Sequence, residues 1–77
     1  MARALVFINT MPGTVDFMKD LLKVEGISEA HFSLGLYNAV AMVQAESLSQ
    51  LKDIVSKRIR GMDQVKSTLT LTLIESP

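Results

Sequence analysis

The 77-residue chain contains no cysteine and no tryptophan, and it has a single histidine. Without thiols it can form neither a disulfide nor a thiolate metal site, and the lone His31 excludes a multi-histidine site within one chain. Small domains that lack such staples often gain stability by oligomerising. The composition therefore fits a reducing cytosol, predicts no metal or cofactor, and favours an assembly of several copies.

The chain also lacks an excess of charge of either sign and any long apolar run. Eight basic and eight acidic residues give a net charge of zero, whereas nucleic-acid-binding domains usually carry a clustered basic excess. The one basic cluster, Lys57, Arg58 and Arg60, fits a solvated helix end whose cations complement the helix dipole. No run reaches the roughly 18 residues of a membrane span, and no signal-peptide cleavage pattern follows the N-terminus. We expect neither direct nucleic-acid binding, nor a membrane span, nor export.

Motifs for catalysis are equally scarce. The sequence has no glycine-rich phosphate loop, and the pair Asp16 and Asp20 lies on the polar side of a predicted helix. We therefore expect a binding module rather than an enzyme. One enzymatic alternative stays open, a cofactor-free oxygenase or isomerase of the dimeric α/β-barrel group, with His31, Tyr37 and Asn38 in a cleft between sheet and helices. Otherwise His31 is interpreted as a core or interface imidazole.

The apolar periodicity predicts one domain over residues 1–77, with the order strand, helix, strand, strand, helix, strand. The expected strands are residues 3–8, 27–33, 38–45 and 65–75, and the expected helices are residues 15–23, capped by Thr14, and 47–61. Ser47 and Gln50 form a capping-box pattern at the start of the second helix. The last strand alternates, which predicts two sets on opposite faces: Ser67, Leu69, Leu71 and Leu73 on one, and Thr68, Thr70, Thr72 and Ile74 on the other.

This order of elements predicts a fold of the α+β class. Right-handed crossovers place both helices on the same face of a four-stranded antiparallel sheet, which gives a ferredoxin-like βαββαβ sandwich. The second face of the sheet then has no cover, yet the first and third strands carry apolar residues on both sides. Because a bare apolar face is a liability in a monomer, we predict a two-fold dimer that packs sheet against sheet.

The turn between the second and third strands, Leu34-Gly35-Leu36-Tyr37-Asn38, is the most site-like segment of the chain. Gly35 allows backbone angles that other residues avoid, and Asn38 both tolerates turns and offers a donor and an acceptor. Large apolar side chains such as those of Leu34, Leu36 and Tyr37 gain nothing from a turn that faces solvent. We therefore expect the turn to be covered, either by the rest of the domain or by another copy.

Four local motifs, in this order and at these spacings, resemble one family. They are Asn9-Thr10-x-Pro12-Gly13, Gly35-x-Tyr37-Asn38, the approach Gly61-Met62-Asp63-Gln64-Val65, and Ser67-Thr68-x-Thr70 in the last strand. Over nearly the whole length, the chain resembles the effector-binding and oligomerisation domain, or RAM domain, of the leucine-responsive regulator (Lrp/AsnC) family. Full-length members carry an N-terminal helix-turn-helix that these 77 residues lack, so the chain resembles a stand-alone domain.

The resemblance implies a cytosolic module of transcription regulation. It implies a homodimer that assembles into a ring of four or five dimers, an octamer or decamer, and that can co-assemble with full-length regulators. A free amino acid or related metabolite would bind where dimers meet. The positions that the family ties to this effector correspond to Gly35, Tyr37 and Asn38 in the hairpin and to Thr68 and Thr70 in the last strand.

Asn38 departs from the family pattern, which commonly has aspartate after the tyrosine. An aspartate would bind the ammonium of an amino acid by a charge-assisted hydrogen bond, roughly twice as strong as a neutral one. With Asn38, either the effector differs, or it binds more weakly, or the position has become structural. The last possibility corresponds to a third hypothesis, an assembly adaptor without a ligand.

Overall fold

The computed structural model describes residues 1–13 and 16–74 and contains the six expected elements. They are β1 (Ala2–Thr10), α1 (Phe17–Leu22), β2 (Ile27–Phe32), β3 (Ala39–Ala45), α2 (Leu48–Asp53, continued by a π-helical segment, Ile54–Ile59) and β4 (Val65–Leu73). The sheet order is β2-β3-β1-β4 with every neighbouring pair antiparallel. The predicted ferredoxin-like fold is therefore confirmed.

The core lies between one face of the sheet and the helices. On β1 the side chains of Ala4, Val6 and Ile8 are fully buried, whereas those between them are only half-buried, as expected of a strand whose side chains alternate between faces. The buried residues from the other elements are Phe17 and Leu21 of α1, Ala39, Ala41, Val43 and Ala45 of β3, and Leu51, Val55 and Ile59 of the second helix. Residues of both helices thus share one core with a single face of the sheet.

The opposite face, here called the open face, is apolar at its centre. The strand register places Leu5 between Met42 and Leu71, and Phe7 between Val40 and Leu69. Leu69 and Leu71 remain 50% and 52% exposed. The split of β4 into a leucine face and a threonine face agrees with the sequence, and the described residues leave this leucine face without full cover.

The helix starts agree with the sequence only in part. Ser47 Oγ accepts a hydrogen bond from Gln50 N at 3.1 Å, so the predicted Ser47 cap is confirmed. The return bond of the capping box differs by one residue, because Gln50 Oε1 accepts from Glu46 N at 3.0 Å and not from Ser47 N. α1 begins at Phe17, two residues later than expected, with Asp16 in the N-cap position. The predicted cap Thr14, with Val15, lies outside the described residues.

Two leucines at helix ends are about half exposed, Leu22 at the end of α1 and Leu48 at the start of α2. None of the helices within residues 1–13 and 16–74 has the length and hydropathy needed to span a bilayer.

The π-helical segment is a finding that periodicity did not anticipate. Arg60 N donates to Val55 O at 3.0 Å, five residues earlier, instead of four. The buried spacing of Leu51, Val55 and Ile59 fits an ordinary helix equally well, so the sequence carried no signal for the wider turn. The helix ends at Ile59 with Arg60 as its C-cap, close to the expected end at residue 61, and a Cβ on Gly61 would collide with the Lys57 carbonyl oxygen.

Candidate functional site

The hairpin between β2 and β3 is closed by its own hydrogen bonds. Ser33 N donates to Asn38 O at 3.0 Å, and Ser33 Oγ donates to Tyr37 O at 2.6 Å. Gly35 has a φ of +131°, a region that side chains disfavour, while a Cβ there would meet nothing within 4 Å. Gly35 is thus present for backbone conformation and not for a close contact.

The leucines of this hairpin point into solvent. Leu34 and Leu36 are 103% and 90% exposed, and we call the pair the apolar tip. The expectation that the rest of the domain covers the turn is therefore wrong, because the described part of the chain reaches neither side chain. Cover by another copy stays a prediction.

Asn38 ties the hairpin to the end of β1. Its Oδ1 accepts from Thr10 N at 3.1 Å, its Nδ2 donates to Thr10 Oγ1 at 2.9 Å, and its backbone N donates to Ile8 O at 3.1 Å. Since a backbone N–H can only donate, the Asn38 oxygen must face Thr10 N, which fixes the orientation of the amide. As far as residues 1–13 and 16–74 show, one N–H and one lone pair of this side chain remain for another partner.

Tyr37 lies against the open face. Its half-buried ring packs at a tilt of 51° on Phe7, with 6.0 Å between the ring centroids, a geometry typical of aromatic pairs. Within the described residues the Tyr37 hydroxyl has no hydrogen-bond partner, although buried tyrosine hydroxyls usually find one. The ring is anchored and the hydroxyl is available to a group from outside.

The two threonines lie elsewhere. Thr68 pairs with Ile8 and Thr70 with Val6, which puts both on the helix side of the sheet. Thr68 is half-buried and Thr70 is exposed. Thr70 and Thr72 form one side of a groove of about 320 Å³, here called the β4 groove, whose other side comes from the second helix: Leu51, Lys52, Val55 and Ser56.

Sequence reasoning missed the helical side of this groove. Lys52 and Ser56 lie four residues apart, beside the apolar stripe, and that spacing was the only available signal. The exposed Lys52 adds a cation to the threonine hydroxyls. The groove can therefore offer both a charge and hydrogen-bonding groups to a small anion.

The structure brings together only part of the predicted site. Gly35, Tyr37 and Asn38 share one hairpin, but Tyr37 faces the open side of the sheet whereas Thr68 and Thr70 face the helix side. A single small ligand in contact with all five residues would need more than one copy of the chain.

His31 lies outside the core. It is exposed on the open face, with Nε2 at 2.8 Å from Glu29 Oε1, so the core interpretation is wrong and an interface role stays a prediction. The β4 groove is lined by none of the residues His31, Tyr37 and Asn38, which the enzymatic alternative required together. Within the described ranges no three metal-ligating side chains come together.

Comparisons with known proteins agree with this architecture. The model of the Lrp/AsnC ligand binding domain family matches residues 3–77. The regulatory protein AsnC of Escherichia coli K12 is 28% identical over 65 residues, which is 80% of this chain but 43% of that protein. The chain thus spans less than half the length of this curated relative.

Solved structures show the same fold. The crystal structure of FFRP-DM1 matches with a TM-score of 0.91 and 27% identity, over 96% of this chain and all of that one. A transcriptional regulator of Neisseria meningitidis, crystallised in complex with L-Met, matches with a TM-score of 0.86 and 9% identity, over 96% of this chain and 50% of its own. Family model, curated relative and fold agree, and the chain belongs to the Lrp/AsnC ligand-binding domain family of transcription regulators.

Proposed function

We propose that this chain is a non-enzymatic, cytosolic module that senses a free amino acid and controls the assembly of transcription regulators, with the effector bound between dimers. The observation that carries the proposal is the division of the candidate site. The Tyr37 hydroxyl and the β4 groove lie on opposite faces of one chain, and a second copy would complete each half.

The open face supports the dimer. Leu69 and Leu71 are half-exposed beside the half-buried Leu5 and Phe7, which forms a continuous apolar surface across β1 and β4. Contiguous apolar patches of this kind mark interaction sites. A two-fold axis parallel to the sheet covers this surface on both copies at once, because an isologous interface uses the same patch twice.

The apolar tip supports the next level of assembly. Leu34 and Leu36 project from the hairpin end of the sheet, and Leu51 and Val55 line the β4 groove, although both side chains are largely covered by the chain's own core. A tip seated in the groove of another dimer is a heterologous contact, which generates a ring when the rotation closes. In a ring of four or five dimers, such contacts would bring Tyr37 and Asn38 of one copy to the threonines of another.

The groups at this contact suit an amino acid. In our proposal the Lys52 ammonium and the Thr70 hydroxyl donate to the effector carboxylate. The Tyr37 hydroxyl and the free lone pair of Asn38 Oδ1 accept from its ammonium. The Neisseria regulator that bound L-Met supports this class of ligand. Since Asn38 carries no charge, we expect weaker binding than an aspartate would give.

Isothermal titration calorimetry with each proteinogenic L-amino acid tests the proposal. We expect Tyr37→Phe and Thr70→Val to weaken binding roughly fivefold each, and Asn38→Asp to strengthen it roughly fivefold, the ratio expected for about 1 kcal/mol per hydrogen bond. Ser49→Ala, an exposed helix residue outside the groove, is the matched control. Unchanged affinity in all three variants would contradict the proposed site.

The second candidate is the assembly adaptor without a ligand. It is favoured by the Thr10–Asn38 pair, in which both ends of the amide already have an intramolecular partner. If no amino acid binds at a concentration of about 10 mM, at which even very weak complexes form, the adaptor hypothesis replaces the sensor hypothesis.

A further inference from the structure

A second cleft lies at the end of the sheet away from the hairpin. It has a volume of about 480 Å³ and is lined by residues from the start of β2, the end of β3 and the second helix. Ala45, one of its lining residues, pairs with Ala2 at one end of β1, whereas the hairpin residue Asn38 binds the other end of that strand. The volume falls in the range of roughly 300–1,000 Å³ that is typical of small-molecule sites. We call it the Gly26 cleft.

Three departures from regular structure meet at this cleft. Gly26 has a φ of +100°, and a Cβ on it would lie 2.7 Å from Ile54 Cδ1 and 3.0 Å from Gln44 O. The register of β2 on β3 shifts between Ile27 and Glu29, beside Ser28. The π-helical segment supplies Ile54 and Arg58 to the lining.

Each of these features departs from the locally favoured conformation. Strand bulges and π-helical turns occur preferentially at functional sites, and departures from local regularity are expected where function requires them. Their meeting at one cleft, built from three separate elements, indicates that the cleft has a role of its own.

The charges of the cleft do not neutralise one another. Arg58, Glu25 and Glu46 all line it, and all three are exposed. Within the described residues, no ion pair of 4 Å or less joins Arg58 to either carboxylate, although the neighbouring Lys57 does approach Asp53 at 3.9 Å. Opposite charges therefore line a space of ligand size, and the half-buried Ile54 adds an apolar surface to the same lining.

We infer that the Gly26 cleft binds a small zwitterion of the α-amino acid class. The carboxylate of the ligand pairs with the planar guanidinium of Arg58, which can donate two parallel hydrogen bonds. The ammonium pairs with Glu25 or Glu46, and the side chain of the ligand lies on Ile54. This site is separate from the one between dimers, and neither depends on the other.

Backbone NMR of the full ¹⁵N-labelled chain, titrated with each proteinogenic L-amino acid, tests this site. We expect saturable chemical-shift changes in the backbone amide resonances of residues 25–28 and 54–58. Arg58→Gln should weaken binding at these residues roughly tenfold, the loss expected for one charge-assisted contact. Lys57→Gln, which removes an adjacent exposed cation outside the cleft, should leave the affinity unchanged.

A second arm needs no substitution. The α-amide of the best-bound amino acid lacks the carboxylate, so it should also bind at least tenfold more weakly at these residues. The inference is overturned if the Arg58→Gln variant binds the amino acid as tightly as the unmodified chain does, or if the unmodified chain binds the amide as tightly as the amino acid. It is also overturned if no amino acid shifts the amide resonances of residues 25–28 and 54–58. Shifts confined to residues 33–38 and 68–70 would overturn this cleft and leave the site between dimers intact.

Discussion

The open face allows a quantitative test through Leu71. This side chain is 52% exposed in one chain and pairs across the sheet with Leu5, at the centre of the apolar surface. If a second copy covers the face, Leu71→Ala removes apolar contact from the interface, while the fold, whose core lies on the other side of the sheet, is preserved.

The magnitude follows from the exposed half of the side chain. Full burial of a leucine contributes about 1.5–3 kcal/mol, so burial of the remaining half on dimerisation contributes about 1 kcal/mol. A two-fold interface contains the position twice, which makes the loss about 2 kcal/mol for each dimer. We therefore expect the dimer Kd to rise about 30-fold.

Sedimentation velocity over a dilution series measures this Kd. Ser49→Ala is the control, because Ser49 is an exposed residue of α2 that lies neither on the open face nor in the β4 groove. The dimer Kd of Ser49→Ala should equal that of the unmodified chain. An equal Kd for Leu71→Ala and Ser49→Ala would refute the assignment of the open face as the dimer interface.

Three further predictions concern stability, measured by urea unfolding at one fixed protein concentration. Ser47→Ala should lower the free energy of unfolding by about 1 kcal/mol through loss of the helix cap, and no change would contradict that cap. Gly26→Ala should lower the free energy of unfolding by about 2 kcal/mol or more, and by more than Gly13→Ala does. Both glycines have a positive φ, but of the two only Gly26 lacks room for a Cβ. Equal losses in the two variants would contradict the close contact at Gly26. Asn38→Ala should cost about 1 kcal/mol and speed hydrogen exchange at Thr10 N, whereas unchanged exchange would contradict the bond between them.

The fold was accessible from the sequence because its signals are local and repeated. The alternation in β4 assigned Leu69 and Leu71 to one face and Thr70 to the other, since the side-chain period of a strand is two. Ser47 and Gln50 indicated the start of the second helix, because the hydrogen bond between them joins residues only three positions apart. Signals of this kind depend on neighbours in the chain and not on tertiary packing.

The candidate site was accessible only in part. The hairpin motif pointed to Tyr37 and Asn38, but not to the intramolecular bonds between Asn38 and Thr10, which join residues 28 positions apart. The helical side of the β4 groove, with Lys52, depends on how the second helix packs beside β4. The Gly26 cleft likewise required three elements in place, and the π-helical turn that supplies Arg58 leaves no mark in the apolar spacing.

Native mass spectrometry of the unmodified chain, with and without the proteinogenic L-amino acids, tests most directly whether copies of this domain complete one another's site. We predict even-numbered assemblies, an octamer or decamer, that retain bound amino acid and change in abundance when it is added. A folded monomer at about 10 µM, a concentration at which stable dimers persist, would contradict the account.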